Sequence, residues 1–541
     1  MEIKQLVKKY LDGRLAVISL LLGMILGFFG VFGHQLEEYG NIDFSSPFIY
    51  LTGVGVGILL TIPGYMILRA LERLSIVSPT RGKWTPGAYF LWVAGGLYIL
   101  WMPQLLGVYP GYFNFDAPFQ WAMYEAGEIT AHHPPLHTLF MGGVIQPVLQ
   151  LTGSFNKGVF VFELLQLAVF ACCFSYGVTW MYRKGLPKWL QWFAIAWFAF
   201  FPTVVINCFS VTKDNFFSAF LVVFLVMTLE LLENPAEKLR RVSFVAAWVL
   251  FTFLTLIMRN NAIYVMVLFL PVLLIVLRRF WRRLLPALGG LVLLYVIYIG
   301  PFCSAFVVKG VPANEFLTVP TQQMMRVYYE EYDQLTEEER AMYPLLFEDQ
   351  ALNHYNPRIS DAVKGHFRVE EFQKDKAGTI SFWYHLGCRF PSTYVNSFLH
   401  NTYGFWYPKA TLALDYYGWN GYFVCTSYWP AVDNSMIPII DNYYDLFQES
   451  ELVQGGSFGL TFFSPGTYFW IFLLVLAYML WQKRRAQLLV LGFVLVLWLT
   501  FLLGPVALVR YVAFLFYLIP FYTAMILQVQ GDGTDIKMRK E

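Results

Sequence analysis

The side chains able to do chemistry in this 541-residue chain lie in a few short polar stretches set between long apolar runs. The first begins at Tyr109-Pro110-Gly111-Tyr112-Phe113-Asn114-Phe115-Asp116 and passes Gln120, Glu125 and Glu128 to reach His132-His133-Pro134-Pro135-Leu136-His137. The others are Lys213-Asp214-Asn215, Arg259-Asn260-Asn261, Gln322-Gln323-Met324-Met325-Arg326 and Arg510-Tyr511. A carboxylate in a partly desolvated site can take a proton as a general base. Guanidinium and ammonium groups hold phosphate oxygens and stabilise charge that develops on them. Asp116 is therefore the candidate base, and Lys213, Arg259, Arg326 and Arg510 are the candidate phosphate ligands. Gln120, His133, His137, Asn260 and Gln323 are candidates to hydrogen-bond a phosphate or a sugar.

A resident metal is not expected. His133 and His137 have i,i+4 spacing, but Pro134-Pro135 intervenes and no HExxH glutamate is present. A lone carboxylate is a poor Mg²⁺ or Mn²⁺ site. Each stretch also has a plainer reading: a solvated loop, a cation snorkelling at a helix end, or Lys213 and Asp214 neutralising each other.

The elements that must position these groups are membrane helices. The chain is 57% hydrophobic, 19% aromatic and 14% charged, with a mean hydropathy of +0.51, whereas a soluble protein carries about 25% charged residues. This points to an all-α polytopic membrane protein. A net charge of +2 gives no case for nucleic acid. Cys388 and Cys425 share the long polar region and could pair; the other four cysteines lie in or beside apolar segments. The run from Leu15 onward has no small-residue cleavage site and is expected to be a span rather than a removed signal.

Runs of about 20 apolar residues span the hydrocarbon core. They occur near 15–33, 48–70, 88–106, 134–152, 157–181, 189–207, 215–232, 244–258, 261–278, 284–304, 466–482, 487–504 and 511–529. Basic residues in short loops stay cytoplasmic. Lys4, Lys8, Lys9 and Arg14 place the N-terminus inside, and Arg69, Arg73, Arg81 and Lys83, Arg183-Lys184, Arg240-Arg241, Arg278-Arg279, Lys483-Arg484-Arg485 and Lys537, Arg539 and Lys540 mark further inner segments. These agree only if 134–152 does not cross, so that segment reads as a re-entrant or interfacial helix. Twelve crossings follow, with both termini cytoplasmic; thirteen is the alternative.

This topology puts Asp116, Lys213, Arg259 and Arg510 on one extracytoplasmic face. It divides the chain into a transmembrane module over 1–304 with an outer loop at 107–133, an extracytoplasmic insertion over 305–465, and C-terminal helices over 466–541. Thr336 to Glu339 has capping-box spacing and starts a helix. The insertion is rich in aromatic residues, among them Trp383, Tyr384, Tyr394, Tyr403, Trp406, Tyr407, Tyr416, Tyr417 and Trp419, suited to a membrane interface or to stacking on sugars.

The order of features resembles the GT-C superfamily of integral-membrane glycosyltransferases, in the general layout of protein O-mannosyltransferases and lipid A aminoarabinose transferases. The resemblance rests on an acid in the first large outer loop, Asp116, followed by His133-Pro134-Pro135-Leu136, and on the later Lys213-Asp214, Arg259-Asn260-Asn261, Gln322-Gln323-Met324-Met325-Arg326 and Arg510-Tyr511. Many relatives carry Asp-Glu where this chain has Asp116-Ala117. The resemblance implies an inverting glycosyltransferase of the cell envelope that moves a sugar from a polyprenyl-phosphate donor to an extracytoplasmic acceptor, which could be a wall polymer, a glycolipid or a protein. It also implies a bundle of 12–13 spans with juxtamembrane helices in the first outer loop. The alternatives are a transporter or flippase of a lipid-linked or anionic substrate, and a polysaccharide polymerase or ligase.

Overall fold

A computed structural model describes residues 12–80, 82–412, 421–450 and 462–529. Tyr416, Tyr417 and Trp419, and the cations Lys4, Lys8, Lys9, Arg81, Lys537, Arg539 and Lys540, lie outside them. The protein is an all-α polytopic membrane protein. Among the described residues eight helices are long and apolar enough to cross a membrane, or nine with one bent pair, and three shorter apolar helices accompany them.

In chain order the helices that matter here are α1 Gly13–Tyr39, α2 Pro47–Leu74, α3 Pro86–Gly107, α4 Ala117–Ala126, α5 Pro135–Thr152, α6 Phe155–Arg183, the bent pair α7 Lys188–Phe200 and α8 Pro202–Cys208, α9 Lys213–Glu233, α10 Val242–Ile257, α11 Ala262–Val276 and α12 Arg278–Phe306. The inserted region contributes α13 Thr318–Glu330, α14 Glu337–Leu346, α15 Lys376–Arg389, α16 Pro391–Thr402 and α17 Pro438–Glu449; the chain then closes with α18 Pro465–Gln482, α19 Arg485–Phe501 and the broken helix α20 Val509–Ile526. All thirteen apolar runs of the sequence are helical.

The bundle is built around α9. Every residue from Asp214 to Leu232 is buried, as expected of a helix apolar on all sides. The helices α6, α10, α19 and α20 surround it. At the other extreme α1 and α2 border lipid and pack through small residues: a methyl group on Gly27 would sit 2.5 Å from the Gly57 nitrogen.

The polar connections sort to two faces. On one, Thr80 donates to Gly185, Arg14 to Leu480, and Arg484 to Met525 and Ile526. On the other, the strap 428–436 ties together the end of α3 and the start of α6: Met436 N donates to Leu106 O (3.0 Å), and Asn156 exchanges two hydrogen bonds with Val432. The helices α3 and α6 are thus antiparallel neighbours, and α5, between them in sequence, leaves and returns to the same face. Charge parity predicts that the end of α3 and the start of α6 meet at one face in this way.

The insertion has its own core, with Met324, Val327, Tyr343, Phe347, Phe382 and Leu386 at its centre. The capping box at Thr336 and Glu339 is present. Cys388 is exposed and Cys425 buried, and both are free thiols, so the pairing considered from the sequence is not made: they sit on separate parts of the insertion.

Candidate functional site

Five ionisable side chains from four separate stretches converge beside the α9 N-terminus. Asp116 is the residue just before α4, where Ala117-Pro118 starts the helix. Its backbone is aimed by an unusual turn: Phe115 has φ of 52°, a conformation sparsely populated by residues with a side chain. The loop is pinned from both sides. Tyr112 pairs with the 209–211 turn through Tyr112 N to Phe209 O and Val211 N to Tyr112 O, and Asn114 donates to Val424 O. Gly111, with φ of +105°, packs where a methyl group would meet Glu163 Cγ at 2.6 Å, so no larger residue fits that corner.

Lys213 and Asp214 open α9 but point to different partners. Lys213 Nζ bonds Asp116 Oδ2 and lies 3.1 Å from His133 Nδ1. Asp214 is fully buried and bonds Arg259; its other oxygen accepts from Arg510 Nη1 at 2.9 Å. The mutual Lys213–Asp214 neutralisation considered from the sequence does not occur, because adjacent residues at a helix start project in different directions. Arg510 forks over Asp116, with Nη1 to Oδ2 at 3.0 Å and Nη2 to Oδ1 at 3.1 Å. Its guanidinium lies 4.5 Å from the Phe115 ring centroid, and that of Arg259 rests against the neighbouring rings of Phe501 (4.4 Å) and Tyr511 (4.5 Å), contacts that hold a cation in a dry place.

The cluster carries three cations, Lys213, Arg259 and Arg510, against two carboxylates, Asp116 and Asp214, a net charge of one positive. Asp214 is the sealed counter-charge; the Asp116 side chain keeps 19% of its surface exposed. Burial alone would raise the Asp116 carboxyl, but the Arg510 and Lys213 charges hold it well below the usual carboxylate range. Burial and the Lys213 ammonium push His133 down to about 2. His133 is therefore neutral, and since Nδ1 faces an ammonium, its proton belongs on Nε2.

The remaining sequence candidates fall into two groups. Gln120 and His137 are buried beside the cluster: Gln120 Nε2 donates to Thr138 Oγ1 at 2.9 Å, and His137, flanked by Phe162 and Phe216, has both ring nitrogens without a partner. Asn260 reaches Ala131 O at 3.4 Å at the rim. Arg326 and Gln323 do not join the cluster. Arg326 is buried within the insertion's contact with α1, donating to Gly40 O and Asn41 Oδ1 and pairing with Glu330 at 3.0 Å. Gln323 bonds Tyr394 O and Trp383 Nε1. Along α13, Gln323 turns into the insertion's own packing and Arg326 toward the end of α1. Glu125 and Glu128 are exposed; the His132 and His133 rings meet edge to face with centroids 4.4 Å apart, His132 also lies 3.7 Å from Glu315, and His137 packs on Phe162 and Phe216. Among the described residues no group of three or more His, Cys, Asp or Glu is placed to hold a metal.

Sequence reasoning passed over Asp214 as a functional group in its own right, gave Phe115 and Tyr511 no role within the stretches that hold them, and passed over Phe501 altogether. The available signal was adjacency: Tyr511 follows Arg510, and Asp214 follows Lys213. Residues 97–539 match DUF6020, a family of unknown function. The chain belongs to the DUF6020 family. The match includes every residue of the charged cluster. No curated protein and no solved structure matches the chain.

Proposed function

We propose that this DUF6020 protein is a membrane glycosyltransferase that moves a sugar from a polyprenyl-phosphate donor to an acceptor hydroxyl on the extracytoplasmic side of the cell membrane, with inversion and with Asp116 as general base. One observation carries the reading: three cations and one partly accessible carboxylate meet at one membrane face, anchored by a second, sealed carboxylate. The acceptor oxygen forms a bond to the anomeric carbon as the bond from that carbon to the phosphate oxygen breaks. The hydroxyl proton passes to Asp116, and the departing phosphate goes from one negative charge to two. With Asp116 protonated, Lys213, Arg259, Arg510 and Asp214 sum to two positive charges, matching the leaving group. Preorganised charge of this kind is usually the largest catalytic contribution.

In the resting arrangement Lys213 and Arg510 make Asp116 a weak base. A phosphate that draws those cations to itself raises the proton affinity of Asp116, so base strength appears only when the donor is bound. The GT-C layout, with an acid in the first large outer loop followed by His-Pro-Pro-Leu, supports the same reading. The test is to incubate the purified protein in lipid with a panel of labelled polyprenyl-phosphate sugars and an extract of cell-envelope acceptors. Release of polyprenyl phosphate is expected. Movement of the intact lipid without bond cleavage would replace the proposal with transport, and release of the pyrophosphate form would replace it with a polymerase or ligase.

A further inference from the structure

The strap 428–436 and the helix α17 present an apolar face that no neighbour among the described residues covers. Trp429 (83% exposed), Val432, Met436, Ile439 (78% exposed), Tyr443 and Leu446 all point outward. Ile439, Tyr443 and Leu446 have i, i+4, i+7 spacing, so they share one side of α17; Tyr444 and Phe447 occupy the buried side. Six large apolar side chains in a row form a surface that soluble proteins seldom leave in water.

The backbone fixes how deep this surface lies. Asn434 N donates to Tyr109 O at 2.9 Å and Met436 N to Leu106 O at 3.0 Å, level with the last turn of α3. Val432 is bound on both sides to Asn156, in the first turn of α6. Ile440 lies against Gly107, where a methyl group would come within 2.4 Å of its Cγ2. Tyr444 Oη donates to Gln104 Oε1 at 2.6 Å, a turn further into the span. The helix α17 therefore does not stand off in solvent; it leans down along the end of a membrane helix. The outward surface of α3 is itself apolar, with Leu91, Trp92 and Ile99 exposed, so the face of α17 continues a lipid-facing surface.

We infer that residues 429–446 form a monotopic anchor, with the outward face of α17 inserted among the acyl chains of the leaflet that borders the Asp116 face. The chemistry is that of an interfacial amphipathic helix: apolar residues toward lipid, Asn442, Asp445 and Glu449 along one polar edge, and Trp429 at headgroup level. The inference stands independently of the transfer reading, since it uses only the apolar spans and the strap.

The test places single cysteines in the full chain at Met436, Ile439, Tyr443 and Leu446, after Cys172, Cys303 and Cys388 are replaced by serine, and attaches a nitroxide in phosphatidylcholine–phosphatidylglycerol nanodiscs. Collision with oxygen, which partitions into hydrocarbon, is compared with collision with a water-soluble nickel chelate. Ile99→Cys serves as the lipid reference and Lys374→Cys as the water reference. All four sites are expected to match Ile99→Cys. Nickel accessibility equal to that of Lys374→Cys would put the face in water and overturn the inference. Low collision with both agents would show burial against protein and overturn it in favour of a second copy of the chain. Four positions keep the test decisive if one variant fails to fold, which elution behaviour reports.

Discussion

Replacing Asp116 by asparagine separates a base from a structural counter-ion. Asparagine keeps the shape and leaves an acceptor oxygen for Lys213, while Arg510 retains Asp214 at 2.9 Å. Loss of a general base costs a factor of about 10² to 10⁴, or roughly 3–5 kcal/mol of barrier. The same change should tighten anion binding. In the resting site Asp116 occupies Lys213 and Arg510 and repels an incoming phosphate; two unit charges about 6 Å apart at an effective dielectric of about 20 interact by about 3 kcal/mol. Because the Asp116 side chain keeps a fifth of its surface in contact with solvent, screening brings the expected gain to roughly tenfold in affinity. The assay follows turnover of a labelled polyprenyl-phosphate sugar together with inhibition by the product polyprenyl phosphate, with thermal melting as the control for folding. The Asp116→Asn variant should lose transfer while binding product more tightly and remaining folded. Transfer within a few-fold of the parent would remove Asp116 as base. Weaker product binding would refute the idea that its carboxylate competes with phosphate for the cations.

Four further outcomes follow from the geometry. Asp214→Asn strips the sealed counter-charge from Arg259 and Arg510 and should destabilise the protein by about 3–5 kcal/mol in chemical or thermal unfolding; a negligible shift would show that the pair is not buried as described. Gly111→Ala needs a positive φ and pushes into Glu163, so melting should fall by the equivalent of about 1–3 kcal/mol, with transfer falling alongside because the Asp116 loop is displaced. His133, held to about 2 by burial and Lys213, and His400, held to about 3 by burial, Arg326 and Arg358, both stay neutral in the fold. The unfolded chain takes up those protons below about pH 6.5, so stability is full above that pH and declines below it by about 1.4 kcal/mol per pH unit for each histidine; urea titrations between pH 7 and 5 should show this slope, and His400→Asn should reduce it. Arg326→Gln should lower the melting temperature, since it leaves Glu330 and Asn41 without their cation, yet preserve transfer per folded molecule; a selective loss of transfer would return Arg326 to the site.

The amino-acid sequence by itself determined the class of fold and where its helices run, because a membrane helix needs a long, nearly unbroken apolar row and the thirteen apolar rows it offers are all helical. Charge parity also led to the expectation that α5 does not cross, since basic loops on both sides of it agree in sign only then, and the strap that holds the end of α3 beside the start of α6 fits that expectation. Asp116, His133, Lys213, Arg259 and Arg510 were legible because an ionisable group at a membrane boundary is costly and therefore conspicuous. Only the tertiary structure decided which of them meet. Lys213 and Asp214 are neighbours in sequence and part company in space; Arg510 is 394 residues from Asp116 and forks over it; Arg326 has the same chemistry as Arg510 and serves a different contact. Side-chain direction and the packing of α9 against α10, α19 and α20 settle these partnerships, and no local pattern encodes them. The apolar face of α17 escaped notice for a related reason: its residues are spread through a polar stretch, and only the hydrogen bonds of the strap to α3 and α6 set them beside the ends of those helices.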